Sequence, residues 1–443
     1  MTAVVGILNK RGAAIAADSA VTRTRYNNRK ITKNGNKMIR LSDCVPISVM
    51  LTGNGAYLRT QWDIIIRHYR QHRGDIPHQT VEACVHDFFR YIADNHLFCE
   101  EEVIKRWIGQ ELDLLFEHAD GNVDFTVKER GDDNRLKSPK TYLKSFLKQL
   151  HRYQTYWLKT GVSAQFIDYT PEQFHVFIGD MITDYLSEKE YQEDGFNFNN
   201  YPKEFLVSLK DDLESTLMTR LTTRRYHDDG SAELVFTGFG SEQEYPSLVY
   251  TVVFEGFDNR VNYHIRPEDI ICISDEHPVA ICPFAQKDVI KSLLRGLHVD
   301  YSRIIANSMR DIYGPFGNDI FDINEDDKEF ENLNFMDFQM MLQDVRIDDL
   351  DKKFVNANVR YLDKKQRKWE KNLEDYDLLA MAALAQSLID LTGFHRILTF
   401  SQEGVGGPVD LAVITKNEGF TWLSRKSWYH HKDIGGHYGI LGV

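Results

Sequence analysis

The chain has 443 residues, a length that allows two or three domains and a large buried core. Its hydrophobic fraction of 42%, aromatic fraction of 12% and charged fraction of 27% are close to the averages of folded proteins and argue against a disordered chain. The formal net charge of −13 disfavours a surface that binds phosphates through clustered lysine and arginine, so we expect no nucleic-acid partner.

The first quarter of the chain predicts a β-sheet followed by two helices. Its strand signals are β-branched and apolar runs, the first two of them separated by the turn residues Asn9–Gly12. A polar stretch up to Asn36 follows this opening hairpin. The predicted strands are Thr2–Leu8, Ala13–Ala17, Lys37–Leu41 and Val45–Leu51. From Ala56 the apolar period becomes helical, and a second helix is predicted from Thr80 to Asn95.

Helical and strand-like segments alternate in the rest of the chain. The helical periods cover Val103–His118, Tyr142–Thr160, Pro171–Tyr191, Pro202–Arg224, Lys287–Gly296 and Tyr376–Leu391. The strand signals cover Ala232–Gly238, Ser247–Phe254, Ile270–Ile273, Val409–Thr415 and Gly419–Ser424. A further helical and acidic segment is predicted over residues 297–374, and its charge run Asp322–Glu329 is typical of a solvated loop.

Strands near both ends of the chain, with paired helices between them, predict a layered α+β protein. In this reading two sheets are enclosed by helices, and two helical insertions either enlarge the same domain or form separate lobes. The core would consist of residues 1–98, 230–296 and 375–443, the last including the C-terminal tail. The first insertion would cover residues 99–229 and the second, acidic insertion residues 297–374.

Thr2 is a candidate nucleophile because it follows the initiator Met1, and a small second residue favours removal of that methionine. A threonine at the start of a chain carries an amine and a hydroxyl on one residue. The free α-amine has a pKa near 7.7 to 8.0, so it can accept the hydroxyl proton at neutral pH. A nearby lysine would lower that pKa, and a carboxylate would hold the lysine in place.

Two residues in the first quarter could supply those groups. Asp18 closes the second strand of the predicted hairpin, which returns it alongside the beginning of the first strand. Lys37 begins the next predicted strand. Each of the two has a purely structural interpretation, as a strand cap or as a solvated lysine, but their order after Thr2 favours a functional one.

The order of these motifs resembles the proteasome β-subunit family of N-terminal-nucleophile hydrolases, including bacterial relatives such as HslV. The motifs are Thr2, Gly6-Ile7, Ala17-Asp18, Lys33-Asn-Gly-Asn-Lys37, Leu51-Thr-Gly53 and Gly406-Gly-Pro-Val-Asp410. The resemblance covers roughly residues 2–98, 230–296 and 375–425, and both insertions fall outside it. It implies a four-layer αββα sandwich as the fold of the core.

The resemblance also implies roles for individual residues. Thr2 matches the nucleophile, Asp18 the acid that fixes the lysine, and Lys37 the lysine that tunes the terminal amine. The backbone oxyanion donor falls near Met50, before the turn at Gly53. The chain departs from the family where auxiliary serine and aspartate residues usually stand: it has Gln286, at the expected start of the family's third helix, and Gln402 and Glu403.

The function that this resemblance implies is a threonine-type peptidase or amide hydrolase, which needs no metal or organic cofactor. Its expected partners are a peptide or other amide substrate, further copies of the chain in a homo-oligomer, and a separate unfolding or regulatory protein. The departures favour a first alternative, a catalytically inactive scaffold or sensor with this fold. A second alternative is a small-molecule acylase, because a fold does not determine a substrate.

The remaining motifs indicate a cytoplasmic protein without metal or membrane. Five cysteines, an odd number with no CxxC pair, predict reduced thiols rather than disulfides or a zinc site; they are Cys44, Cys84, Cys99, Cys272 and Cys282. The histidines His430, His431 and His437 lie in a polar tail, for which we do not predict a metal site. The apolar start of the chain is interrupted by Lys10 and Arg11, and no signal peptide or membrane span is predicted.

Overall fold

The computed structural model describes residues 3–25, 28–32, 35–42, 44–128, 139–192, 203–223, 230–295, 368–399 and 406–426. The strands, numbered along the chain, are β1 (Ala3–Asn9), β2 (Gly12–Ala17), β3 (Val21–Arg25), β4 (Asn28–Thr32), β5 (Met38–Arg40), β6 (Ile47–Gly53), β7 (Ala56–Tyr57), β8 (Thr60–Gln61), β9 (Ala232–Gly238), β10 (Ser247–Phe254), β11 (Asn262–His264), β12 (Ile270–Cys272), β13 (Val279–Ala285), β14 (Asp410–Thr415) and β15 (Gly419–Ser424).

The α-helices are α1 (Trp62–Arg73), α2 (Val81–Ala93), α3 (Glu101–Gly121), α4 (Pro139–Leu158), α5 (Pro171–Ile178), α6 (Met181–Gln192), α7 (Lys203–Thr222), α8 (Lys287–Arg295) and α9 (Leu378–Leu398). The described residues therefore form a mixed α and β protein with several antiparallel sheets. They fall into two compact units. Unit 1 combines the chain up to Lys37 with the chain from Cys272 onwards, and unit 2 is the continuous segment Met38–Ile271.

Unit 1 is built on a five-stranded sheet in the order β13-β1-β2-β14-β15, with every neighbouring pair antiparallel. All residues of β1 and β2 are buried, which explains why both read as continuous apolar runs. In the register, Gly6 of β1 lies opposite Ile15 of β2 and Cys282 of β13. The sheet thus joins segments from the beginning and the end of the sequence.

Helices α8 and α9 pack against this sheet, α9 along β1 and β2 and α8 beside β13. Small residues such as Ala14, Ala16, Ala382 and Ala385 form part of the contact, so the helix lies close to the strands. Asp377 caps α9 by accepting a hydrogen bond from the N–H of Ala380, at 2.7 Å. This packing gives unit 1 its own hydrophobic core.

Unit 2 contains a second antiparallel sheet in the order β11-β10-β9-β6-β5, with β12 paired to β10. Helix α2 packs against β9 and β10, and α1 packs against α2. The rings of Phe88 and Phe89 on α2 meet Phe236 of β9 edge to face, with centroids 5.4 and 6.2 Å apart. Helices α3 to α7 share one continuous hydrophobic core with this sheet, so this part of the chain is not a separate lobe.

The structure differs from the sequence-based elements in several places. The helical period was expected from Ala56, but the short strands β7 and β8 come first and α1 begins only after them. The single helix predicted over Pro171–Tyr191 is two helices, because the chain breaks at Gly179, whose φ of +56° is a left-handed conformation. The polar stretch before Asn36 contains the hairpin of β3 and β4, and β11 also lacked a signal. β13 had no strand signal either, and the helix after it begins at Lys287, as predicted.

Candidate active site in unit 1

Asp18 and Lys37 form a buried ion pair in unit 1. Asp18 follows the last residue of β2, and Lys37 precedes the first residue of β5. The Lys37 Nζ lies 2.6 Å from Asp18 Oδ1, and the two side chains are 6% and 0% exposed. An isolated buried charge would be strongly unfavourable, so each group requires the other.

The Asp18 carboxylate accepts three further hydrogen bonds, all from backbone N–H groups. Oδ1 accepts from Ala3 at 2.8 Å, and Oδ2 accepts from Ala20 at 3.3 Å and from Gly406 at 3.0 Å. The N–H of Asp18 in turn donates to the carbonyl oxygen of Ala3 at 3.1 Å. Charge-assisted hydrogen bonds of this kind are shorter and stronger than neutral ones. Asp18 thus joins the beginning of β1, the end of β2, Lys37 and the loop before β14.

Burial lowers the pKa of the Lys37 ammonium below its ordinary value, and the Asp18 carboxylate opposes this shift. The positive charge of Lys426 adds to the lowering, and Asp410 opposes it. Lys37 is therefore a lysine whose proton is held less tightly than that of a surface lysine. A group of this kind influences the protonation of any amine placed beside it.

Thr2, the predicted nucleophile, lies outside the described residues. The next residue in the chain, Ala3, is buried and exchanges two hydrogen bonds with Asp18, one through each of its backbone polar groups. Thr2 is joined to Ala3 by a single peptide bond. The backbone next to the predicted nucleophile is therefore fixed by hydrogen bonds to Asp18.

Gln286 lies between β13 and α8, directly after Ala285, which faces Ala3 in the register of β13 and β1. Its Oε1 is buried and has no hydrogen-bond partner among the described residues. A buried amide oxygen without a partner is uncommon in folded proteins. Gln402 and Glu403, the two other auxiliary positions, fall outside the described residues.

Met50 and Gly53 belong to β6 in unit 2. Met50 is buried and lies opposite Met38 of β5 and Val235 of β9. Gly53 ends the strand with a φ of +72°, which a glycine adopts without steric cost. The proposed oxyanion role of this segment stays a prediction.

The sequence-based reasoning missed Lys426 and most of the role of Asp410. Lys426 Nζ lies 2.8 Å from Asp410 Oδ2, and both side chains are 3% exposed. The clearest signal was Asp410 itself, a charged residue at the start of an otherwise apolar strand. Lys426 follows β15 in a polar stretch and carries no local pattern that would distinguish it.

The described residues contain no candidate metal site and one helix that meets the criteria for a membrane span. No group of three or more His, Cys, Asp or Glu side chains there could hold a metal ion, and His430, His431 and His437 fall outside them. Among the described helices, α9 alone is long and apolar enough to cross a membrane, with a mean hydropathy of 1.3 over a window that is 33% buried. Core helices meet the same criterion, and α9 packs against β1 and β2.

Comparison with known proteins adds no assignment. No protein-family model matches the chain, and a search of curated proteins finds no significant match.

Proposed function

We propose that the protein is an amide hydrolase that uses Thr2 as its N-terminal nucleophile once Met1 has been removed. The observation that carries this proposal is the Asp18 carboxylate, which binds Lys37 and the backbone of Ala3 at the same time. This arrangement supports the proposal because one carboxylate binds both Lys37 and Ala3, the residue that follows Thr2. The order of Thr2, Asp18 and Lys37 also resembles the proteasome β-subunit family.

In the proposed reaction, the Thr2 hydroxyl oxygen attacks the carbonyl carbon of an amide. The hydroxyl proton passes to the Thr2 α-amine and then to the leaving nitrogen when the carbon–nitrogen bond breaks. Water then attacks the ester carbonyl carbon and gives one proton to the α-amine. This proton passes to the Thr2 oxygen as the ester carbon–oxygen bond breaks, which releases the carboxylic acid and restores the hydroxyl. Lys37 lowers the pKa of the α-amine by its positive charge, and Asp18 holds Lys37 in place.

The αββα sandwich is the fold that we propose for the core. Its support is that each unit contains an antiparallel sheet with helical packing against it: α8 and α9 in unit 1, and α2, with α1 beside it, in unit 2. Within the same proposal, Met50 and Gly53 supply the oxyanion segment, and Gln286, Gln402 and Glu403 supply auxiliary polar groups. The unpartnered Oε1 of Gln286 supports such a role for that residue.

The substrate that we propose is a peptide or another amide, and the protein acts in the cytoplasm as a homo-oligomer served by a separate unfolding or regulatory partner. Members of the proteasome β-subunit family, which the chain resembles, enclose their active sites in rings or spirals. Analytical ultracentrifugation of the purified protein tests the oligomer, and a sedimentation coefficient of a single chain at micromolar concentration would contradict it.

The test of the chemistry is labelling with a threonine-directed β-lactone, followed by intact-mass analysis. We expect one added lactone mass on protein that begins at Thr2, because the hydroxyl opens the lactone and retains all of its atoms as an ester. Thr2→Ala should show no labelling and an unchanged thermal unfolding midpoint. Protein with an uncleaved N-terminal tag should be inert, because an amide nitrogen cannot accept the proton.

Equal labelling of the wild type and Thr2→Ala would contradict Thr2 as nucleophile. Equal labelling of tagged and processed protein would contradict the terminal amine as base. If the processed wild type is not labelled, the protein is not an active hydrolase of this class, and a scaffold or sensor with a vestigial site becomes the favoured function.

A further inference from the structure

A second buried ion pair lies in unit 1, beside the segments that carry Asp18 and Lys37. Asp410, the first residue of β14, accepts two hydrogen bonds from Lys426: one from Nζ at 2.8 Å and one from the backbone N–H at 3.0 Å. Both side chains are 3% exposed. Burial of a second lysine and a second aspartate is costly, and nothing in the proposed reaction requires them directly.

The Lys426 ammonium also binds the two segments that lead to Asp18 and Lys37. An ammonium has three N–H donors. Besides Asp410, Lys426 donates to Ser19 Oγ at 3.3 Å and, through a short contact, to the carbonyl oxygen of Gly35. Ser19 is the residue after Asp18, and Gly35 stands two residues before Lys37. All three donors of Lys426 are therefore used.

Direct bonds between the two segments complete the arrangement. The N–H of Gly35 donates to the carbonyl oxygen of Ser19 at 2.9 Å, and Ser19 Oγ donates to the carbonyl oxygen of Pro408 at 2.6 Å. Pro408 in turn stands close in sequence to Gly406, whose N–H binds Asp18. Without Lys426, the described bonds that hold the Gly35 segment to the Ser19 segment would be one backbone hydrogen bond and the Lys37–Asp18 ion pair itself.

We propose that Lys426 and Asp410 are positioning residues for the candidate active site. Lys426 ties the loop before Lys37 to the end of the Asp18 segment, and Asp410 holds Lys426 in place. This inference rests on the proposed function, because it assigns the pair a role in the reactivity of Thr2. Two buried cations so arranged also repel each other, which assists the loss of a proton from the site.

The experiment compares β-lactone labelling rates across a pH series for the wild type and three variants. Lys426→Met removes the donor and its charge, and Lys426→Met with Asp410→Asn removes the donor but leaves no unpaired carboxylate. The matched control is Lys416→Met, because Lys416 is an exposed lysine in the turn between β14 and β15. Each protein is also checked by its thermal unfolding midpoint.

We expect both Lys426 variants to be labelled at least about tenfold more slowly, because the Lys37 segment is released, and Lys416→Met to match the wild type. In Lys426→Met the pH at which the labelling rate is half-maximal should rise by about half a unit or more. One positive charge near the charged groups Lys37, Asp18 and Asp410 is lost, so the site holds its protons more tightly. In the double variant the midpoint should move less, because a positive and a negative charge are lost together.

A folded double variant labelled as fast as the wild type would overturn the positioning role. If Lys426→Met alone fails to fold, the double variant and Ser19→Ala, which removes two hydrogen bonds without removing a charge, decide the question. Ser19→Ala should slow labelling by several fold. An unlabelled wild type would instead overturn the proposed function itself, and the inference with it, so the two failures are distinguishable.

Discussion

Asp18 is a buried carboxylate with four hydrogen-bond partners, so its replacement tests both stability and chemistry. Asp18→Asn keeps the shape but leaves the Lys37 ammonium without its counter-charge. We expect a loss of about 3–5 kcal/mol in the free energy of unfolding, as for other broken buried pairs. Labelling of Thr2 should also be lost. Denaturant unfolding and β-lactone labelling measure the two effects.

The control is the double variant Asp18→Asn with Lys37→Met, which leaves no charge at this position. We expect it to be more stable than Asp18→Asn alone and equally unreactive, because the stability loss comes from the unpaired lysine while the chemistry needs both groups. Additive losses in stability and in labelling would mean that Asp18 and Lys37 do not act as a unit.

The cysteines provide a second test at the scale of single residues. Burial raises the pKa of Cys84 and of Cys282 to about 12 and that of Cys99 to about 11, whereas Cys44 and Cys272 are exposed. Because only the thiolate reacts, an aromatic disulfide reagent at pH 8 should modify two thiols rapidly in the folded protein.

Guanidinium should make all five thiols reactive, and Cys44→Ser should remove one of the two fast ones. A third thiol that reacts rapidly in the folded protein would contradict the burial of Cys84, Cys99 or Cys282. The sequence predicted reduced thiols but could not separate these two groups, because exposure depends on the packing of distant segments.

The candidate site could be predicted from the sequence in part. Asp18 and Lys37 lie 19 positions apart within one run of short elements, and the structure brings them into contact. Lys426 lies 391 positions from Gly35, which it contacts, and no local period links two such residues. The sequence therefore indicated Asp18 and Lys37, which are close to each other in the chain. It missed the contact of Lys426, which the β14–β15 hairpin brings from the far end of the described chain.

Gly53 and Gly55 allow a matched test of one turn at the scale of elements. Gly53 has a φ of +72°, and an added Cβ would collide with the carbonyl oxygen of Ser231. At Gly55 an added Cβ would meet no atom within 4 Å. We expect Gly53→Ala to cost about 2 kcal/mol or more in the free energy of unfolding, because it combines a strained φ with a collision.

Gly55→Ala should change the same free energy by less than about 0.5 kcal/mol, as at other unconstrained surface positions. Denaturant unfolding of both variants gives the comparison. Equal effects would mean that the turn at Gly53 tolerates a side chain, and its glycine would then need an explanation other than backbone geometry.

Strands with strong local signals were predicted correctly, and those without were not. β9 and β10 have the predicted bounds, because their β-branched and aromatic residues are buried in the middle of a sheet. β13 contains Pro283 and owes its conformation to seven residue pairs with β1, which is far away in sequence. Gly179 interrupts a continuous helical period, which the apolar spacing alone did not reveal.

At the scale of the whole molecule, the acidic run Asp322–Glu329 tests which parts of the chain the chemistry needs. This run lies outside the described residues and outside the family resemblance. We expect its replacement by a Gly/Ser sequence of equal length to leave the β-lactone labelling rate within about twofold of the wild type, since its composition suits a solvated loop. Loss of labelling in a protein with an unchanged unfolding midpoint would place the run in the site.

Unit 1 is assembled from the two ends of the described chain, and this has a consequence for the order of events on the ribosome. Asp18 and its partner Gly406 are 388 residues apart. At a synthesis rate of about 5–20 residues per second, on the order of 20–80 s pass between them. During that time unit 2, which is continuous, can fold, while β1 and β2 wait for β13 and β14. The hydrogen bonds of Asp18 are completed only after Gly406 has been synthesised, so a nascent or prematurely terminated polypeptide that ends before Gly406 carries no assembled site.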